Sequence, residues 1–232
     1  MTHPDPKTLD RLLDTALPHV PFSGWSPETL QAAARDAGMT DGEVSAACPG
    51  GGADLAARFH TRADDLLTER LAVSGPLEMR IRDKIAHAIR LRLELAGDKE
   101  AVRKGIALFA LPHHAPRGAT LVWQTADAIW RAIGDTSEDV NWYTKRMTLS
   151  AVWSSVLLYW LGDTSPNHTA TNDFIDRRID DVMRFEQAKS ALKTNPVTRP
   201  LTELTGALLR NVRPPRHRTS DDLPGKWVTP AD

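Results

Sequence analysis

The sequence predicts an all-helical fold. Across its 232 residues, no run alternates apolar and polar residues for long enough to indicate a strand, whereas apolar residues recur at the spacing of a helix face. Prolines and glycines divide these stretches into short helices near the N-terminus and longer helices after it. A chain of this length buries roughly 70% of the surface that it exposes when unfolded, so a packed core is expected.

Nine helices are predicted, with a possible tenth near the C-terminus. In order, they cover residues 9–21, 26–38, 41–47, 53–72, 76–96, 98–110, 117–133, 140–161 and 168–188, and the possible tenth covers 200–212. The segment after Pro214 is rich in proline and arginine and is expected to be disordered. These boundaries suggest an N-terminal unit over 1–52, a larger helical domain over 53–190 and a basic tail over 191–232.

The second and third helices carry clear start and stop signals. Ser26, followed by a proline and a glutamate, has the composition of an N-cap and first turn, and Gly38 should close that helix. The third helix should begin at Thr40 or Asp41 and end near Ala47. The sequence therefore predicts a helix-turn-helix-like unit.

The helix over 140–161 is apolar on nearly all sides. One face carries a continuous stripe, formed by Trp142, Arg146, Leu149, Trp153, Val156 and Trp160. Much of the remaining surface is also apolar, through Met147, Ala151, Leu158 and Leu161. Such a helix must be buried on more than one side, so it is either central in the domain or packed against a second subunit.

Three small helices before a larger bundle match the plan of TetR-type regulators, but the charge of the first unit argues against DNA binding. The predicted recognition helix begins with Asp41, Gly42 and Glu43, and segment 25–60 holds two arginines against five acids. Because affinity for DNA depends on neutralising phosphates, this segment should repel the duplex. A ligand-gated transcriptional repressor of the TetR type stays the alternative function.

No set of residues in the sequence supports catalysis. The motifs of serine hydrolases, P-loop and dinucleotide-binding proteins and zinc proteases are absent from the sequence, as is Glu-x-x-His. The adjacent His113 and His114 point in different directions and are interpreted as loop histidines, while His60 is interpreted as an ordinary surface or core histidine. Asp64–Asp65 and Asp180–Asp181 are interpreted as solvated faces. We therefore expect a protein that is not an enzyme, with no catalytic residue, metal or cofactor.

The N-terminal residues lack the features of a signal or transit peptide, and no stretch approaches the ~20 apolar residues of a membrane-spanning helix. The single cysteine, Cys48, cannot form an internal disulfide. The expected location is the bacterial cytoplasm, with peripheral contact with the inner membrane.

Between about residues 106 and 188, several motifs resemble those of the COQ-nine (COQ9) family, whose members are accessory proteins of ubiquinone biosynthesis. The most specific is the Asn-Trp-Tyr-Thr-Lys-Arg string over 141–146, which follows Gly134-Asp135. Further matches are Leu111-Pro112-His113, Ser165-Pro166, Phe174 with Arg177-Arg178-Ile179, and Gly24-Trp25 near the N-terminus.

This resemblance implies a TetR-like all-α fold, a homodimer and a hydrophobic pocket that binds isoprenoid quinones or their precursors. It also implies that the protein presents this lipid to the di-iron hydroxylase of the quinone ring. The contact with the hydroxylase would involve Ile129, Trp130, Asp139, Trp142, Tyr143 and Arg146.

Two further sets of residues are predicted to meet lipid. Candidates for the pocket wall are Ile106, Leu108, Phe109, Val122, Ala126, Ile129 and Leu157. Residues 189–218 carry seven Lys or Arg against one glutamate, and an amphipathic basic helix there can lie on an anionic bilayer. Its expected membrane-contact residues are Leu201, Leu204, Leu208, Arg210, Val212 and Arg213.

Overall fold

The computed structural model describes residues 6–74, 78–137 and 140–194, with side chains over 7–74, 78–137 and 141–184. In these ranges the chain forms ten α-helices and one short 3-10 turn, and no strand. The helices are α1 Pro6–Ala16, α2 Val20–Ser23, α3 Pro27–Ala37, α4 Asp41–Ala47, α5 Gly52–Ser74, α6 Ile81–Glu94, α7 Lys99–Phe109, α8 Ala115–Ala132, α9 Val140–Gly162 and α10 Thr169–Thr194. The prediction of an all-helical fold is therefore confirmed.

The helix-turn-helix-like pair has the predicted boundaries. Ser26 accepts a hydrogen bond from the Thr29 amide at 3.3 Å and opens α3, and Gly38 closes it at φ 63°, a conformation that suits glycine. Thr40 and Glu43 form a reciprocal capping box at the start of α4. Local sequence signals are sufficient here because each cap is made by residues within one turn of the helix.

The first predicted helix was too long. It ends at Ala16, and a separate short helix begins at Val20. Pro18 explains the break, because a proline disfavours the helical conformation at the preceding residue, here Leu17, and donates no amide hydrogen bond.

Two other starts differ from the prediction. Arg80 has extended backbone and α6 begins at Ile81, with Asp83 in its first turn, where a carboxylate is favourable. Helix α8 begins at Ala115 rather than 117, which places Pro116 in the first turn, where its missing amide costs no helical hydrogen bond. The possible tenth helix over 200–212, with its predicted membrane-contact residues, lies outside the described residues.

Helix α9 lies in the centre of the larger bundle, packed between α8 and α10. Its predicted stripe faces inward: Trp153 and Val156 are fully buried, and Leu149 and Trp160 nearly so. They pack with residues of α5, α6, α8 and α10 in the larger of the two hydrophobic cores that the described residues form.

The smaller core lies between the N-terminal helices and the start of the bundle. It joins Leu12, Leu13 and Val20 to Leu55 of α5 and Ala101 of α7. Trp25 reinforces this junction, since its Nε1 donates a 3.1 Å hydrogen bond to the Ala101 carbonyl oxygen. The N-terminal unit is thus attached directly to the helices that form the cavity described next.

Candidate functional site: an apolar cavity and an aromatic patch

An apolar cavity of about 260 Å³ lies between α5, α7, α8 and α9, with Arg92 of α6 at one side. Helix α5 contributes small residues and Phe59, α7 contributes Ile106 and Phe109, α8 contributes Val122 and α9 contributes Leu157. Its lining is mostly carbon, which suits a hydrophobic ligand. For scale, a 150 Å³ apolar cavity holds benzene, so this cavity has room for a substituted ring with a short apolar extension.

Four of the seven predicted pocket residues line this cavity, namely Ile106, Phe109, Val122 and Leu157. Three do not. Leu108 packs into the N-terminal core, because two successive positions along α7 turn it to the side of the helix opposite Ile106. Ala126 and Ile129 are fully buried one and two turns further along α8, in the core beside α9. A stripe of apolar residues does not reveal where a cavity ends and solid core begins.

A buried polar cluster adjoins one side of the cavity, and the sequence analysis missed it. Arg92 donates from Nε to Asp64 Oδ1 at 2.6 Å and from Nη2 to the His60 carbonyl oxygen at 2.9 Å. Thr125 Oγ1 lies 2.8 Å from His60 Nε2 and 3.0 Å from Asp64 Oδ1. His60 and Arg92 both line the cavity, so charge and hydrogen-bonding groups meet an otherwise apolar space.

The interpretation of Asp64 as a solvated residue was wrong. Asp64 is buried against Arg92, whereas its neighbour Asp65 is exposed and pairs with Arg58. Burial raises the pKa of Asp64, and the Arg92 guanidinium opposes that shift. The position of Asp64 in the sequence could have predicted this burial. Asp64 falls on the same helix face as His60, Leu67 and Leu71, and that face points into the core.

Burial lowers the pKa of His60 to about 3, and the nearby Arg92 cation acts in the same direction. The imidazole is therefore neutral near pH 7. Within the described part of the chain, no group of three metal-ligating side chains exists. The rings of His113 and His114 lie in the α7–α8 loop with their centroids 4.1 Å apart and their planes tilted by 50°.

An aromatic patch of Trp123, Trp142 and Tyr143 lies at the junction of α8 and α9. The ring centroids of Trp142 and Tyr143 are 4.7 Å apart, edge to face, and Trp123 lies 5.8 Å from Trp142. All three side chains are half-buried. The sequence analysis predicted Trp142 and Tyr143 as contact residues but missed Trp123, which only the packing of α8 on α9 brings to them.

Three other residues predicted for this contact surface lie behind it. Arg146 is 1% exposed and forms ion pairs with Asp127 at 2.6 Å and Asp135 at 3.1 Å. Its guanidinium also lies 4.0 Å from the Trp142 ring centroid. Ile129 and Trp130 are buried as well. This corrects the expectation that all of them face a partner: Arg146 supports the patch through Trp142, Ile129 and Trp130 belong to the core, and Asp139 lies outside the described residues.

The second face of α9 is exposed. Met147 is 62% and Leu158 59% accessible, and Ala151 between them is also exposed. Their spacing places all three on one side of the helix. Among the helices that the structure describes, none has the length and apolar character needed to cross a bilayer.

Comparison with known proteins finds the same family that the motifs of the carboxy-terminal half resemble. Residues 115–186 match the family model described as COQ9. The chain is 32% identical over 190 residues to the mitochondrial ubiquinone biosynthesis protein COQ9 of Drosophila melanogaster, covering 78% of this chain and 56% of the fly protein. The human protein of the same name is 29% identical over 192 residues, covering 79% of this chain and 60% of the human one.

The chain thus spans less than two thirds of the length of these relatives. Among solved structures, it is similar to a TetR transcriptional regulator from Nitrosomonas europaea, with a TM-score of 0.62 and 21% identity over 76% of this chain and 97% of that one. This likeness shows the TetR-like fold. The predicted resemblance to the COQ9 family is therefore confirmed over most of the chain by the family model and the relatives, and the solved structure shows that the fold is TetR-like.

Proposed function

We propose that this chain is a non-catalytic accessory protein of ubiquinone biosynthesis that binds an isoprenoid quinone intermediate and presents it to the di-iron hydroxylase of the pathway. The observation that carries the proposal is the apolar cavity of about 260 Å³ in a chain similar to proteins named for ubiquinone biosynthesis. Burial of a ring and the first part of its tail removes apolar area from water at ~25 cal/mol per Å², which offsets extraction from the bilayer.

The first test is mass spectrometry of lipids extracted from the purified protein and from a cavity-filling variant. Val122 lines the cavity and is half-buried, so Val122→Phe should occupy the ligand's space. We expect near-stoichiometric isoprenoid lipid in the natural protein and its loss in the variant.

Val182→Phe is the matched control, because Val182 is half-buried in a separate groove between α6, α9 and α10. It should retain the lipid. A folded natural protein that carries no isoprenoid lipid, or a Val122→Phe variant that keeps all of it, would contradict the proposal.

The hydroxylase contact is proposed for the aromatic patch of Trp123, Trp142 and Tyr143. Half-buried aromatic side chains held by a buried ion-pair network have the composition and rigidity of interface hot spots.

Tyr143→Ala should weaken binding to the hydroxylase in a pull-down while leaving helicity and lipid content intact. Tyr159→Ala is the control, since Tyr159 lies on α9 but stacks on Phe174, 4.3 Å away. Equal loss of binding in both variants would remove the patch from the proposal.

Homodimerisation and peripheral membrane contact belong to the same proposal. The exposed face of Met147, Ala151 and Leu158 is suited to a second copy of the chain, because monomers rarely expose an apolar stripe of this kind. The basic residues over 189–218 are suited to an anionic bilayer. Vesicle flotation with and without anionic lipid tests the membrane contact, with binding expected to anionic vesicles alone.

The alternative of a ligand-gated repressor is distinguished by a DNA titration. Asp41 and Glu43 are exposed at the start of α4, where a recognition helix would meet phosphates. We expect no salt-resistant binding to any duplex, and micromolar or tighter binding to a palindromic site at physiological salt would favour the repressor.

A further inference from the structure

The cavity opens to the surface where α7 is joined to α8. Seven alanines line its wall, of which four are buried and three are exposed. The buried ones are Ala56, Ala63, Ala96 and Ala101, and the exposed ones are Ala110, Ala115 and Ala119. Since a side chain that lines a cavity and also meets solvent marks an opening, the mouth lies between the end of α7 and the first turns of α8.

The segment at this mouth carries no charged side chain. Residues 105–116 contain no Asp, Glu, Lys or Arg, and in the α7–α8 loop Leu111 is 44% exposed beside the exposed Pro112. The cations that border the segment, Lys104 and Arg117, are each paired with an acid. The opening is therefore framed by an apolar loop, with balanced charges at its edges.

The cavity is too small for a whole isoprenoid chain. Its volume of about 260 Å³ suits a substituted ring with a short apolar extension, so the rest of a longer tail must leave through the mouth. In water the emerging tail would expose apolar surface, which is unfavourable. Against the acyl chains of a bilayer it would not, and an apolar loop is suited to that contact.

Resting on the proposed function, we propose that the α7–α8 loop is a bilayer-docking surface, through which the cavity takes up the ring of a prenylated lipid while its tail stays in the hydrocarbon. Leu111 enters the membrane interface and brings the mouth to the acyl chains. This contact is separate from the electrostatic one proposed for residues 189–218, because burial of apolar side chains needs no anionic lipid.

Uptake of 2-farnesylphenol from neutral phosphatidylcholine vesicles tests the docking surface. Neutral vesicles do not attract the basic residues over 189–218, so uptake depends on contact at the mouth. Mass spectrometry measures the probe in the protein fraction over time, after the vesicles are removed by flotation. Leu111→Asp should slow uptake about tenfold, because a carboxylate replaces the side chain that leaves water. Leu111→Trp should take up the probe at least as fast as the natural protein, since tryptophan favours the interface.

Val73→Asp is the matched control, because it places the same charge on an exposed apolar position at the other end of the bundle. Val73 is 88% exposed near the end of α5. Helices α5 and α8 run in the same direction, since Asp54 pairs with Arg117 and Asp64 with Thr125, so Val73 is remote from the start of α8. This variant should take up 2-farnesylphenol at the natural rate.

Titration with 2-prenylphenol, which dissolves in water, separates this inference from the proposed function. Its Kd should be the same in the natural protein and in Leu111→Asp, because this probe needs no bilayer. If the natural protein takes up neither probe, the proposed function fails and the inference fails with it.

Three results would overturn the docking surface while leaving the lipid cavity in place. They are natural uptake from vesicles by Leu111→Asp, equal slowing in Val73→Asp, and slow uptake by Leu111→Trp. If Leu111→Asp takes up the vesicle probe normally but no longer binds the hydroxylase, the mouth faces that enzyme instead of the bilayer.

Discussion

At the scale of single residues, the least expected feature is the ion pair of Asp64 and Arg92, with two hydrogen-bonding neighbours, in the interior of a helical bundle. Asp64 and Arg92 pair at 2.6 Å, and Thr125 and His60 complete their hydrogen bonds. A buried pair of this kind contributes little net stability, because desolvation opposes the attraction, but it tolerates the loss of neither partner. The same cluster contacts His60 twice, through Thr125 at the ring and through Arg92 at the backbone carbonyl.

Replacement of Arg92 by methionine should lower the free energy of unfolding by about 3–5 kcal/mol, because it leaves a buried carboxylate without its cation. Urea denaturation measures the loss. Arg103→Met is the control, since that arginine is 52% exposed in its pair with Glu100 and should cost less than about 1 kcal/mol. In the double variant Asp64→Leu/Arg92→Met most of the loss should disappear; a double variant as unstable as Arg92→Met alone would show that the pair itself stabilises the fold.

The depressed pKa of His60 predicts a pH dependence of stability. Its folded pKa of about 3 lies below the value of about 6.5 in an unfolded chain. The unfolded state therefore binds more protons within that window, and stability falls as the pH is lowered from about 6.5 towards 3. The slope attributable to His60 approaches about 1.4 kcal/mol per pH unit, and it should vanish in His60→Phe. Parallel stability curves for the two proteins would contradict the prediction.

At the scale of elements, helix α9 serves both the core and the exterior. Its buried face carries tryptophans and Arg146, and its opposite face is apolar and exposed. Helical periodicity puts these two sets of residues on opposite sides of α9, so a substitution on one side can leave the packing of the other unchanged.

The contact between the N-terminal unit and α5 requires glycine at position 52. A Cβ there would lie 2.2 Å from the Trp25 carbonyl oxygen, a backbone atom that cannot turn aside. Gly52→Ala should therefore destabilise the protein by about 1–3 kcal/mol. At Gly42 a Cβ would meet no atom within 4 Å, so Gly42→Ala should be neutral or stabilising by up to about 1 kcal/mol. Thermal denaturation of both variants checks the contrast, and equal melting temperatures would show that the helices separate easily.

At the scale of the whole molecule, the exposed face of α9 predicts a dimer. Leu158→Glu places a charge on that face and should convert the protein to a monomer in size-exclusion chromatography with light scattering, without loss of helicity. Leu66→Glu is the control, because Leu66 is an exposed leucine on a different helix, α5. A Leu158→Glu protein that stays dimeric would place the interface elsewhere.

The sequence by itself determined the helical class, most helix boundaries, the inward stripe of α9 and the resemblance to the COQ9 family. These features are local: caps, prolines and periodicity act within a few residues, and the Asn-Trp-Tyr-Thr-Lys-Arg string is contiguous. Periodicity likewise placed Ile106, Phe109, Val122 and Leu157 on inward faces, without showing that they border a cavity.

The tertiary structure alone decided what these inward faces meet. Leu108, Ala126 and Ile129 are as apolar as the residues that line the cavity, but whether they meet space or other side chains depends on how four helices pack together. The pairing of Asp64 with Arg92, the junction of Trp25 with Ala101 and the approach of Trp123 to Trp142 each join residues far apart in the chain. Such pairings are set by the arrangement of helices, because helical periodicity gives the direction of a side chain but not its partner.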